Sequence, residues 1–251
     1  MVDNQHGGNI VCGHGASLAS RTKFAGDEYE YYYLELKEGD ALAVDSLSSY
    51  TVCILSVDGA CKFEGLTEDL EIGDCIQCEG YPVSACLSGK SISLLVSGVR
   101  RRLSSEASVE HTKFKDLYKV LKPWGYELWL NGEHPFYAFK MIFLKKGFKT
   151  SLQYHKKKRE TNVLFDGNIR LHYKLNRQVA NDSVVDADIG VINLSSIASV
   201  DVVPGVLHRI EAVSDSTLYE VSTPHLDDVV RVADDSDRAS GRISSEHPNL
   251  S

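Results

Sequence analysis

The chain repeats itself, and both copies are built from strand-forming residues. Residues 29–36 and 137–144 are dense in aromatic and aliphatic side chains. Each run closes on a charged turn, Lys37-Glu38-Gly39 or Lys145-Lys146-Gly147. Such side chains suit a pleated, half-buried surface. Each copy then reaches an Asp-Gly pair, Asp58-Gly59 or Asp166-Gly167, after the apolar runs 52–55 and 163–165. Asp-Gly readily takes the positive φ of a tight hairpin. A proline follows in each, Pro82 and Pro204. The copies are offset by 108 positions up to the Asp-Gly turn and by 122 at the proline, so the second carries about 14 additional residues. The polar segment 176–188 is where they are expected. Helical periodicity is scarce outside a short stretch at 114–121. The predicted fold is therefore all-β: two tandem jelly-roll barrels with little helix.

A chain of 251 residues is long enough for two small cores. The expected organisation is an N-terminal arm (1–24), a first barrel (25–100), a linker (101–118), a second barrel (119–238) and a polar C-terminal tail (239–251). The linker begins near the Arg- and Ser-rich run at 100–110, which shows no strand period. A formal net charge of −8 argues against nucleic acid, whose phosphates demand a basic face. No apolar run approaches the ~20 residues that cross a bilayer. Residues 1–20 lack a basic start followed by an apolar core, so a cytoplasmic location is expected. All six cysteines, Cys12, Cys53, Cys61, Cys75, Cys78 and Cys86, lie in the first half. A Cys75/Cys78 pair without a second pair reads as buried, reduced thiols rather than a zinc knuckle.

The second copy carries a distinctive spacing. From Gly147 the chain runs through Gln153, His155 and Glu160 to Gly167, and His208 follows the Pro204-Gly205 turn. Alternate residues of a strand share a face, so Gln153 and His155 project together, and Glu160 returns on the next strand. Two imidazoles, a carboxylate and an amide oxygen make a mixed nitrogen and oxygen set. It suits zinc, and also manganese, iron, cobalt or nickel. By the repeat offset these four fall on Asp45, Leu47, Val52 and Cys86 in the first copy. Leu47 and Val52 have no donor atom, so the first barrel is expected to be degenerate.

This spacing resembles the two motifs of the cupin superfamily, with Gln153 where most cupins place a first histidine. Lys122-Pro123-Trp124-Gly125-Tyr126-Glu127, Thr150–His155, His208–Ala212, Glu220–Pro224, Asp227–Arg231 and Asp234–Arg238 resemble the type II mannose-6-phosphate isomerase cupin over about half the chain. Here 156–162 reads Lys-Lys-Lys-Arg-Glu-Thr-Asn, a departure from the family's His-rich, Trp-ending segment. The resemblance implies a bicupin with one divalent metal, zinc, acting on a sugar phosphate such as mannose 6-phosphate or fructose 6-phosphate. By analogy of fold it also implies a homodimer.

Aldose–ketose isomerisation needs a polarised carbonyl, a base that moves a proton between neighbouring carbons, and cations that hold the remote phosphate. Glu211 and Glu220 are the candidate bases, with Arg209 beside them. Lys122, Lys158 and Arg238 are the candidate substrate contacts. Lys145, Lys146, Lys149, Lys156, Lys157 and Arg159 complete a basic cluster around Lys158. Trp124 and Trp129 offer faces for a sugar or for the core. Two other readings stand beside the isomerase: a non-catalytic sugar-phosphate-binding cupin, and another metal-dependent cupin enzyme such as an epimerase or dioxygenase. No Gly-rich nucleotide loop precedes the second copy, so guanylyltransferase activity is not expected.

Overall fold

A computed structural model describes residues 10–14, 28–37, 41–43, 47–59, 61–63, 66–80, 84–87, 91–132, 134–174 and 189–247. The strands are β1 (Ile10–His14), β2 (Glu30–Lys37), β3 (Ala41–Ala43), β4 (Ser49–Asp58), β5 (Cys61–Phe63), β6 (Cys75–Glu79), β7 (Ser84–Leu87), β8 (Ser91–Val99), β9 (Ser108–Thr112) and β10 (Tyr118–Lys122). They continue as β11 (Gly125–Trp129), β12 (Ala138–Leu144), β13 (Leu152–Tyr154), β14 (Glu160–Asp166), β15 (Asn168–Lys174), β16 (Gly190–Ser195), β17 (Ala198–Val202), β18 (Leu207–Ala212), β19 (Ser216–Ser222) and β20 (Val230–Ala233). Among the described residues helix is limited to 3₁₀ turns such as Phe114–Asp116 and Ser244–Glu246. Among those residues no helix is long and apolar enough to cross a membrane.

The chain divides into two compact units. One comprises Ser17–Tyr118 and Leu130–Phe139, the other Met1–Ala16, Lys119–Trp129 and Lys140–Ser251. The first unit has a five-stranded sheet ordered β2-β8-β4-β6-β9 and a three-stranded sheet β3-β7-β5. Tyr50, Val52, Ile54, Ile76, Leu94 and Val96 from the larger sheet pack with Phe63 of the smaller. The second unit has a seven-stranded sheet β1-β17-β14-β19-β12-β11-β10 and a five-stranded sheet β16-β15-β18-β13-β20. Its core draws Ile142, Leu164, Val200 and Leu218 from the first and Leu171, Leu194 and Ile210 from the second. Both are sandwiches of antiparallel sheets closed over an apolar core.

The repeat is present in the topology. The order β2-β8-β4-β6 in the first unit matches β12-β19-β14-β17 in the second, and β3-β7-β5 matches β13-β18-β15. The Asp-Gly turns behave as the residues require, with Gly59 at φ 103° and Gly167 at φ 97°. A Cβ on Gly167 would sit 2.5 Å from the Asp215 carbonyl oxygen, so only glycine fits that hairpin. Leu47 and Val52 lie in the apolar core of the first unit.

Three expectations are corrected. The span 101–118 contains β9, which pairs with β6 over Cys75↔Thr112 to Glu79↔Ser108. Exposed Ser108 and Glu110 alternate there with half-buried Val109 and His111, an edge strand whose polar half hides its period. The stretch 114–121 is a single 3₁₀ turn followed by β10, not a longer helix. The expected N-terminal arm contributes β1, which pairs with β17 from Ile10↔Val202 to His14↔Ala198. The expected insertion at 176–188, Asp45, Pro82 and the Cys86 side chain lie outside the described residues.

Candidate metal centre

β13 ends one residue before His155, β14 starts at Glu160, and β18 carries His208. Three side chains from separate strands and one loop thereby converge. Their ligand atoms all lie within 4.8 Å of one another, and all three residues are buried. His155 Nε2 is 3.3 Å from Glu160 Oε2, and His208 Nε2 is 3.1 Å from Glu160 Oε1. Neither approach has hydrogen-bond geometry, and both Nε2 atoms are buried without a hydrogen-bond partner.

The other ring nitrogens explain that orientation. His155 Nδ1 donates to the Asp228 carbonyl oxygen, and His208 Nδ1 donates to the Val206 carbonyl oxygen at 3.1 Å. With the proton on Nδ1, each Nε2 turns a lone pair toward a carboxylate oxygen. Lone pairs facing a carboxylate in a dry site repel unless a cation stands between them. Metal–ligand bonds of ~2.1 Å put neighbouring ligand atoms about 3.0–3.4 Å apart, which the two Glu160 distances match. The donor set therefore fits a divalent cation, and the carbonyl contacts supply the outer hydrogen bonds such imidazoles need.

The loop between β13 and β14 is fixed from below. Asp228 accepts amide hydrogen bonds from Lys156 (3.1 Å), Lys157 (2.5 Å) and Lys158 (2.8 Å). Burial alone would raise the Asp228 pKa; these three amides outweigh it and hold the carboxyl below its usual range. Gly205, at φ 85°, donates its amide to the His155 carbonyl oxygen at 2.8 Å, so the Pro-Gly turn also braces the site.

Beside the triad lies a cleft with about 820 Å³ of empty space, its open mouth included. Across one wall runs an unbroken line of alternating charge. Lys158 Nζ bonds Glu160 Oε2 at 2.6 Å and Glu220 Oε1 at 2.7 Å. Glu220 lies 3.4 Å from Lys140, Lys140 3.7 Å from Glu127, and Glu127 3.7 Å from Lys122. Lys122 reaches Glu246 at 2.8 Å, Glu246 lies 3.5 Å from Arg238, and Arg238 bonds Asp234 at 2.7 Å. Glu160, Glu220, Lys140, Glu127 and Lys122 sit on β14, β19, β12, β11 and β10, which are successive neighbours in the seven-stranded sheet.

The partners set the charge states. Burial would raise the Glu160 pKa, but the Lys158 ammonium outweighs it and holds the carboxyl well below the usual carboxylate range. Burial would lower the Lys158 pKa, and Glu160 and Glu220 reverse this and raise it. Glu127, fully enclosed yet flanked by Lys140 and Lys122 and accepting from Trp129 Nε1, is lowered to about 2. Lys122, Lys140, Lys158, Arg231, Arg238 and Arg242 line the cleft against Glu127, Glu160, Glu220 and Glu246. Asp234 and Asp227 pair with Arg238 and Arg242 behind that lining, so the cleft is densely charged with its cations matched by carboxylates.

Lys122, Lys158, Arg238, Glu220 and Gln153 all line the cleft with Glu160 and His208. Gln153 stands opposite His208 in the β13–β18 pairing, and its Oε1 accepts from Ser151 Oγ at 2.7 Å. Arg209 and Glu211 are not brought in. On β18 His208, Ile210 and Ala212 are buried on one face, and strand alternation puts half-buried Arg209 and Glu211 on the other with Leu207. Glu211 there bonds His172 at 2.7 Å and Arg170 at 3.1 Å, and Arg209 bonds Asp235 at 2.7 Å. Both expected active-site roles are corrected accordingly.

Sequence reasoning missed Glu127, Lys140, Arg231, Arg242, Glu246 and His247, and it assigned the last three to a polar tail. For Lys140 the signal was available: a lysine inside Ala-Phe-Lys-Met-Ile-Phe-Leu, wholly apolar otherwise, demands an interior partner. Trp124 belongs to the core. Trp129 faces the cleft, with the His247 ring centroid 5.2 Å away and Lys140 Nζ and the Arg242 guanidinium each 5.8 Å from its ring.

Comparison with solved structures supports the architecture. Oxalate decarboxylase from Lactobacillus farciminis, solved as a formate complex, superposes with a TM-score of 0.60 over 87% of each chain at 10% identity. The Ylba protein of E. coli gives 0.59 over 86% of this chain and 84% of its own, at 11% identity. A salicylate 1,2-dioxygenase from Pseudaminobacter salicylatoxidans gives 0.56 over 79% and 72%, at 8% identity. The chain has the cupin fold, in two tandem barrels. No family model matches the sequence, and no curated protein matches it. The chain thus shares its architecture, rather than its sequence, with these solved structures.

Proposed function

We propose that this cupin is a metal-dependent sugar-phosphate isomerase of the mannose 6-phosphate/fructose 6-phosphate type. One observation carries the reading: two buried imidazole Nε2 atoms converge on Glu160, which Lys158 links directly to Glu220 inside a densely charged cleft. His155, His208 and Glu160 would hold the ion, with Gln153 as a fourth donor. Zinc is the metal the motif resemblance implies, and manganese, iron, cobalt and nickel suit the same donors. When bound, such an ion supplies Lewis-acid polarisation of a carbonyl or hydroxyl oxygen.

The chain's own groups supply the rest. Glu220 is the base that carries the proton between the two reacting carbons, because its carboxylate lines the cleft and Lys158 and Lys140 fix its position. Lys158 holds Glu160 and Glu220 in place as separate anions, donating a hydrogen bond to each. Lys122 and Arg238, on the far part of the charged line, hold the phosphate. Remote binding of this kind positions the reacting carbons. The distinct sequence 156–162 threads the Asp228 amide contacts while still delivering Lys158 and Glu160.

A second reading, a non-catalytic sugar-phosphate-binding cupin, draws on one distance: Lys158 already occupies Glu160 Oε2 at 2.6 Å, as in a closed ion network. The purified chain, assayed for metal by mass spectrometry and for turnover on a panel of hexose 6-phosphates, separates the two. The isomerase reading expects about one transition metal per chain, lost in His155→Ala and His208→Ala, and aldose–ketose interconversion that disappears with it. Saturable sugar-phosphate binding with no turnover would favour the second reading. Stoichiometric metal that survives both substitutions would sink the site.

A further inference from the structure

The far end of the charged line is arranged differently from the rest. Lys122 and Arg238 each have a carboxylate besides Glu246: Glu127, shared with Lys140, stands 3.7 Å from Lys122, and Asp234 grips Arg238 through Nη2 at 2.7 Å and Nε at 3.1 Å. Both cations are thus positioned before Glu246 is considered. Glu246 then sets one oxygen on each, Oε2 at 2.8 Å from Lys122 and Oε1 at 3.5 Å from Arg238. It belongs to no sheet; it sits on the one-turn segment Ser244–Glu246, near the end of the chain.

A carboxylate bridging two fixed cations has the shape of a guest in an anion seat. A phosphate monoester presents the same pair of oxygens with a third oxygen and close to twice the charge at neutral pH. We propose that Lys122 and Arg238 form the seat for the phosphate of a phosphorylated sugar, and that the Glu246 carboxylate is an internal competitor for it. This rests on the reading of the cleft as a sugar-phosphate site. It adds a specificity device: a neutral sugar cannot displace Glu246, whereas a dianion can, carrying the 244–246 turn away from the mouth.

The test is calorimetric titration of the purified full chain with inorganic phosphate. Glu246→Gln keeps the shape and removes the competing charge, so phosphate should bind at least tenfold more tightly than to the parent. Glu246→Asp, which withdraws the charge by one methylene, should tighten binding about threefold, and it decides the matter if the amide variant folds poorly. Adding Lys122→Gln to Glu246→Gln should cancel the gain. Equal phosphate affinity in the parent and the Glu246 variants, or a gain that survives loss of Lys122, overturns the proposal. A protein without isomerase turnover whose phosphate affinity still rises in Glu246→Gln sinks the isomerase reading and keeps the seat. An active isomerase with unchanged affinity sinks the seat alone.

Discussion

Lys158 shows what one buried side chain can decide. It is 4% exposed and lies between two carboxylates, Glu160 and Glu220. Buried ion pairs add little net stability over apolar packing, yet removing one partner strands the others. Lys158→Met should therefore destabilise the fold by about 3–5 kcal/mol in chemical denaturation, because two carboxylates lose their shared cation. A loss near zero would mean the cleft is wetter than its burial indicates. The thiols give a quieter prediction. Cys53, Cys75 and Cys78 are buried and free, and burial pushes Cys78 up to about 12. Iodoacetamide should leave all three unlabelled in the native protein and modify them after denaturation, as read by peptide mass spectrometry. Labelling of the native chain would contradict the reading of these cysteines as inert core residues.

Among elements, the loop from β13 to β14 governs the site. Asp228 holds three of its amides and turns the His155 ring. Asp228→Ala keeps the main-chain carbonyl that accepts from His155 but releases the three loop amides, so metal affinity should fall measurably with both imidazoles intact. Metal titration of the apo-protein would show it, and unchanged affinity would remove Asp228 from the account. On β11, Gly125 has φ 153°, and a Cβ there would lie 1.9 Å from the Phe143 carbonyl oxygen. Strong strand runs such as residues 137–144 and the two Asp-Gly hairpins were legible because side-chain type alone dictates them. The edge strands β9 and β1 were not, since an edge needs only half a hydrophobic face. Glu220 was separable from Glu211 only once β18 was aligned on its buried His208. The role of Glu246 depends on a tertiary contact with Lys122, and no local pattern encodes that.

At the scale of the molecule, the charge pattern predicts an acid limit. Glu127, Asp74, Asp228 and Asp234 all have lowered pKa values in the fold. In each, burial pushes up and is outweighed: by Lys140 and Lys122 at Glu127, by amides and His111 at Asp74, by amides at Asp228 and by Arg238 at Asp234. A depressed folded pKa means the contribution is fully present above the unfolded carboxylate pKa of about 4 and is lost as pH falls toward the folded value. Denaturant midpoints should stay level from about pH 7 to pH 5 and fall steeply between about pH 4 and pH 2, where Glu127 titrates. Stability that rises on acidification would contradict these charge assignments. The most direct test of the whole account is anomalous diffraction at the absorption edge of whichever metal elemental analysis finds. The account predicts one peak in the second barrel, about 2.0–2.3 Å from His155 Nε2, His208 Nε2 and a Glu160 oxygen. A map without a peak among those three side chains, or with the metal bound elsewhere, would contradict it.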